Sequence, residues 1–249
     1  MDTLTIKLAS PLQSYGNQAT FNYRTTYQAP SKSAILGMVA AALGYERDDE
    51  RIPLLNQLAF ATRIDQQGQI MTDFHTVERQ SHKRTLTYRD YLQDAVFVAA
   101  IGGTTDEIKR ISYALHHPKF QLYLGRRSNP PEGPLETKIM TDMDPVKALS
   151  QLKWQATEEY QKRQHTTKYH TQIIADADLA PDKPVQMIKD AIGSLNPAHR
   201  FSKYRPTVEL QVTLTNQFIE DEPKLKKSNK NNNEILDQAG TNQDPLAAI

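Results

Sequence analysis

The stretch AVFVAAIGGTTDEIKRISYALHHPKFQLYLGRR, Ala95 to Arg127, decides the fold class. Its opening run, AVFVAAI, is continuously apolar, too short for an ordinary helix and closed by two glycines, which predicts a buried strand. TDEIKRISYALHHP then shows helical spacing: Thr104 or Thr105 can cap it, and Pro118 follows its end. FQLYL reads as the next strand, and Gly125, Arg126 and Arg127 stand at its exit. The stretch is therefore strand, helix, strand, ending in two adjacent like charges.

Outward from it, Leu4, Ile6 and Leu8 alternate in MDTLTIKLAS, which predicts a first strand. A long polar connection follows, SPLQSYGNQATFNYRTTYQAPSKS, with few strong elements. KSAILGMVAAALGYE has the apolar spacing of a helix, with Ser31 or Ser33 as cap and Gly44 as left-handed stop. LAFATRID and IMTDFHTV flank Gln66-Gln67-Gly68 and predict a β-hairpin. The order of elements predicts an α+β, ferredoxin-like βαββαβ domain, a pattern shared with RNA-recognition domains. Beyond Pro134 the signals weaken. DPVKALSQL predicts a short helix; YHTQIIAD and TVELQVTL predict strands. The expected organisation is a domain over 1–134, a small β-rich part over 135–215 and a disordered tail over 216–249, where an Asn run replaces large apolar residues.

Composition narrows the function classes. The 249 residues carry 30 basic and 29 acidic side chains, a net charge of +1, so a nucleic-acid surface would have to be a local patch. There is no cysteine, which excludes a disulfide scaffold, thiolate-bound zinc and a thiol nucleophile, and fits a cytoplasmic location. No apolar run reaches membrane-spanning length, and the N-terminus lacks signal-peptide character, so no membrane partner is expected.

Three basic–aromatic clusters stand out. Arg79, Lys83, Arg84 and Arg89 lie in an acid-free stretch with His82 and Tyr88; YQKRQHTTKYH and HRFSKYR are the other two. Cations neutralise phosphates and rings stack on unpaired bases, although a solvated face explains any one cluster alone. Ser31, Lys32 and Ser33 start a helix, where free N–H groups attract anions; an ordinary capped helix is the plainer reading. The seven histidines show no metal-ligand spacing, so no metal or other cofactor is expected. His75, His117, Tyr15 and Tyr91 could serve as acid and base in metal-independent RNA cleavage only if the fold gathers them.

Several blocks resemble one family: SPLQSYG at 10–16, APSKSAILGMVAAALG at 29–44, DFHTV at 73–77, YRDYLQDAVFVAAI at 88–101 and YLGRRSNPP at 123–131. They look like the CasD family, the Cas-five subunit of the type I-E Cascade CRISPR surveillance complex. The likeness is closest over about residues 1–150. It implies a ferredoxin-like RNA-binding domain with a protruding β-hairpin thumb, here at about 76–91. It implies a non-catalytic subunit that caps the 5′ handle of the CRISPR RNA. The implied partners are a CasC-like backbone subunit and a CasA-like large subunit, with target DNA met through the complex. Carried onto this chain, the RNA-facing residues are Gln13, Ser14, Tyr15 and Gly16; Ser31, Lys32 and Ser33; and Arg126, Arg127 and Ser128. Arg24, His75 and the thumb cations Arg79, Lys83, Arg84 and Arg89 complete the set. No catalytic residue is implied. The alternative, drawn from type I-C relatives, is a metal-independent endoribonuclease that processes the repeat RNA.

Overall fold

The structure is a computed structural model that describes residues 1–20, 22–78 and 84–219. The chain forms β1 (Asp2–Ala9), β2 (Leu12–Gln13), β3 (Tyr15–Ala19), β4 (Tyr23–Tyr27) and α1 (Lys32–Leu43). After a short 3-10 turn come β5 (Ala59–Gln66), β6 (Gln69–Glu78), β7 (Arg84–Gln93), β8 (Val96–Gly103) and α2 (Thr105–His116). Then follow β9 (Thr137–Met140), α3 (Pro145–Gln151), α4 (Glu158–Arg163), β10 (Lys168–Asp176), β11 (Val185–Ser194) and β12 (Phe201–Thr215).

The helix signals act as expected. Ser31 accepts from the Ala34 amide at the start of α1, and Gly44, at φ 79°, closes it through its own N–H. Thr104 and Glu107 form a reciprocal capping box on α2.

A seven-stranded sheet runs β11-β12-β10-β5-β8-β1-β9, every adjacent pair antiparallel. Strands β1, β5, β8 and β9, with α1 after the first and α2 after the third, lie in the order β9-β1-β8-β5. The middle of the sheet, around β1, β8 and β5, is buried on both sides. Leu4, Ile6, Phe97, Ala99 and Ile101 face a core shared with α1 and α2; Val98 and Ala100 face a second core with Leu149 of α3. Two covered faces explain the unbroken apolar run in β8, since neither set of alternate side chains meets water. Each large side chain buried there contributes about 1.5–3 kcal/mol.

Four sequence expectations need correction. FQLYL is not a strand; Leu122 and Leu124 plug the α1–α2 core from a loop, and the last strand of the set is Thr137–Met140. β5 and β6 do not pair with each other. β5 pairs with β8, and β6 with β7 along its full length. Gln66-Gln67-Gly68 is therefore where a long ribbon passes from one sheet to another. Gly68 is needed there because a Cβ would stand 2.5 Å from the Gln93 carbonyl oxygen. The polar connection after β1 is not structureless either: β2, β3 and β4 join β7 and β6 in a second sheet. Finally, the boundary expected at 134 precedes β9, which pairs with β1, and β10 extends the same sheet through β5.

A buried ion pair on β5 ties that strand to the segment that follows α3. Arg63 and Asp65, both wholly buried, form a two-bond ion pair, with 2.7 Å for each bond. Arg63 also donates to the carbonyls of Leu149, Leu152 and Lys153, while Asp65 accepts from the Gln155 amide. The packed body continues past the expected end at 215: Asn216 is 2% exposed and bonds the Gln161 carbonyl. The rest of the expected tail, from 220 on, lies outside the described residues.

Candidate nucleic-acid interface

β6 and β7 form the largest hairpin of the second sheet, carried on β5 and β8. Among the described residues, β4 and β2 flank β7 on its other edge. β4 runs parallel to β7, and the register sets Tyr23 beside Tyr88 and Arg24 beside Arg89. Successive side chains alternate, so arginines emerge on one face and tyrosines on the other. On the tyrosine face, Tyr23 and Tyr88 stack at 5.9 Å, and Asp90 accepts from the Tyr23 and Thr72 hydroxyls. Phe74 and Leu86, 64% and 47% exposed, lie on that face of the same hairpin.

The third arginine arrives from the chain segment after α2. Gly125 has φ 89°, and a Cβ on it would fall 1.6 Å from the Ser14 carbonyl oxygen. That glycine lets the loop press on Ser14, a contact within the chain. The Ser14 amide donates to Leu124, and Arg126 Nε donates back to the Ser14 hydroxyl at 3.0 Å. The Arg126 guanidinium lies 4.8 Å from the Tyr91 ring centre. It is half-buried, and its pKa is lowered chiefly by loss of water, then by the positive charges of Arg89 and Arg24, against Tyr91 and Asp90. Three guanidiniums thus share one locality. Arg89 Nε is buried there without a hydrogen-bond partner. Clustered cations with unspent donors suit an anion carrying several oxygens, such as a phosphodiester.

The other expected contacts distribute differently. Arg127 and Ser128 are exposed beside Arg126, and Gly16 is exposed on β3. His75 and Arg84 lie on the hairpin, paired with Asp73 at 2.7 Å and Glu78 at 3.4 Å. Arg79 and Lys83 lie outside the described residues. Gln13 and Tyr15 point inward: Gln13 donates to the Leu8 and Ala95 carbonyls, and the Tyr15 hydroxyl donates to Gln13. Burial drives the Tyr15 pKa strongly upward. Lys32 is 3% exposed, its ammonium held by Asp176 and the Asn56 carbonyl. An anion does occupy the start of α1, but it is internal: the Asp190 carboxylate accepts from the Lys32 amide at 2.8 Å. Ser31 caps that helix, with Ser33 3.5 Å away. Ser31 and Lys32 therefore serve the fold, and among the described residues the Ser33 hydroxyl has only Ser31 beside it. His117 stacks on Tyr113 at 4.2 Å on α2, so it does not join His75 on β6.

Sequence reasoning missed Tyr23. Its signal is the alternation YRTTY within the polar connection that follows β1. Among the described residues no group of three His, Asp or Glu is placed to hold a metal, and no helix is long and apolar enough to cross a membrane.

The family model described as CRISPR-associated protein (Cas_Cas5) matches residues 3–200. The chain is 34% identical over 167 residues to CRISPR system Cascade subunit CasD of Escherichia coli (strain K12), covering 59% of this chain and 75% of that one. A solved chain from a CRISPR RNA-guided surveillance complex superposes with a TM-score of 0.69 at 26% identity, over 87% of this chain and 92% of that. A crystal structure of a Cas protein has the same fold, at TM-score 0.62 and 24% identity, over 89% and 99%. Fold and sequence thus define a CRISPR-associated protein. The chain belongs to the Cas5 family, on its CasD side.

Proposed function

We propose that this chain is a non-catalytic, cytoplasmic subunit of a type I-E Cascade complex that binds and caps the 5′ handle of the CRISPR RNA. In this reading β9-β1-β8-β5 with α1 and α2 is a ferredoxin-like RNA-binding unit, and the β6–β7 hairpin is its thumb. Arg24, Arg89 and Arg126 meet handle phosphates, and Arg127, Ser128 and Gly16 border them. His75, Arg84 and the thumb cations Arg79 and Lys83 line the hairpin. A CasC-like backbone subunit and a CasA-like large subunit are its protein neighbours, and guide pairing supplies sequence specificity.

The observation that carries this reading is the convergence of three arginines from β4, β7 and the 124–129 loop. Like charges brought together cost free energy in the free protein, which a bound polyanion returns. The kinship to CasD and to a surveillance-complex chain supports the same reading.

The test is binding of handle RNA to the full chain, alone and with its partner subunits, across a salt series. Replacing Arg24, Arg89 and Arg126 together by alanine should weaken binding and lower the salt slope by about 2 units. An unchanged slope rejects the site. Incubation with repeat RNA in EDTA decides the rival activity: cleavage at the handle boundary, lost on changing His75 or Tyr91, would make the chain an endoribonuclease.

A further inference from the structure

The cluster HRFSKYR plays no part in the arginine site. It opens β12 and faces the edge strand β11, so the two strands form a hairpin at the end of the large sheet. Between residues 183 and 206 the only carboxylate is Asp190. It is 3% exposed and held by two bonds from Arg205 and one from the Lys32 amide. Lys183, Lys189, Arg200 and Lys203 are exposed. Every exposed formal charge between 183 and 206 is therefore positive, with the exposed acids Asp182 and Glu209 flanking the stretch on either side. The β6–β7 hairpin, by contrast, carries Asp73 and Glu78 among its cations.

Two aromatic side chains here are also turned outward. Phe201 is 52% exposed and Tyr204 64%, with the Lys189 ammonium 5.9 Å from the Tyr204 ring. A core-forming hairpin would bury these rings, and a solvated one has no use for them. Uncompensated cations beside open rings match single-stranded nucleic acid, whose phosphates take the charge and whose bases take the rings. The site is joined to the arginine cluster through β4. Tyr27 ends that strand, and its pKa is raised chiefly by burial and then by the neighbouring Asp190 and Tyr204 of the hairpin. Arg24 lies three residues back on β4, about 10 Å along the strand.

We infer that the β11–β12 hairpin is a second contact for the guide RNA, with Tyr204 stacking on an unpaired base and Lys189, Arg200 and Lys203 meeting adjacent phosphates. The inference rests on the RNA reading of the arginine site. It extends the RNA path around the end of β4 and gives the cationic, ring-bearing end of the hairpin a ligand.

The experiment measures fluorescence anisotropy of the full chain with two guide-derived single-stranded RNAs, a short one sized to the arginine cluster and a longer one. Tyr204→Ala should weaken the long RNA about tenfold, the loss of one stacked base. Lys189→Ala with Lys203→Ala should lower its salt slope by about 1.4 units. Tyr204→Trp should keep or raise the affinity, and the short RNA should be indifferent to all three changes. Unchanged long-RNA affinity in the hairpin variants, with the arginine variants still defective, overturns this inference and leaves the arginine site standing. Indifference to both sets overturns both readings. Two other results also overturn it: a response with single-stranded DNA and not RNA, and lost co-purification of a partner subunit at unchanged RNA affinity, which would make the hairpin a protein interface.

Discussion

Arg24 on β4 and Arg89 on β7 stand side by side in a parallel strand pair, two guanidiniums where opposite charges would stabilise the sheet. Arg126 leans toward the same point from the Ser14 contact, and both neighbours depress its pKa. Such an arrangement costs free energy in the free protein, and under the proposed RNA binding it sets stability against function.

Arg24→Gln should therefore raise the stability of the free protein by a few tenths of a kcal/mol, about the size of one relieved cross-strand repulsion. The same change should lower RNA affinity. Chemical denaturation and a binding titration on one preparation test both signs, and a variant that loses stability would show that Arg24 is a structural partner.

Gly125→Ala places a methyl group on the Ser14 carbonyl oxygen and forces a non-glycine residue to φ 89°. The loop must move, at a cost of about 1–3 kcal/mol, and Arg126 moves with it. We expect a lower melting temperature and weaker RNA binding together. Ser128→Ala, on the same loop but exposed, should leave the melting temperature in place.

Lys32→Met should behave as a fold mutation. Its ammonium is pushed toward neutrality by burial and held charged by Asp176. Removing it leaves Asp176 with only Arg205 and the Phe60 amide, at a cost of about 3 kcal/mol. The salt slope of RNA binding should not change. A lowered slope at full stability would return Lys32 to the interface.

Acid should weaken the start of α2 in a defined direction. The Glu107 carboxyl is held below its ordinary pKa by hydrogen bonds from the Thr104 hydroxyl and then the Thr104 amide. Because the folded pKa is the lower one, this contribution is present above about pH 4.3, the unfolded value, and fades as pH falls through the folded one. The urea midpoint of Glu107→Gln should lie below that of the parent at pH 7, and the gap should narrow in acid. A gap that widens would reverse the assigned sign.

Much of this was legible in the sequence because the physics is local. Ser31, Thr104 and Gly44 cap α1 and α2 through hydrogen bonds spanning a few residues. The AVFVAAI run read correctly as a strand because both faces of β8 are covered. Other signals misled for physical reasons. FQLYL had strand composition, yet its leucines are plugs in a helix-facing core. Gly68 looked like a turn residue and is a point of close approach to Gln93. Lys32 looked like a phosphate ligand because nothing near it in sequence reveals Asp176, 144 residues away.

The sequence by itself determined the caps, the main strands, the arginines at 126 and 127 and the kinship to the Cas5 family, since each is written in neighbouring residues. Tertiary structure decided which charges are free. Arg63, Lys32 and Arg205 are spent on carboxylates inside the body. Arg24, Arg89 and Arg126 are left together at its surface, because strand register and loop docking alone set which partner a long side chain can reach.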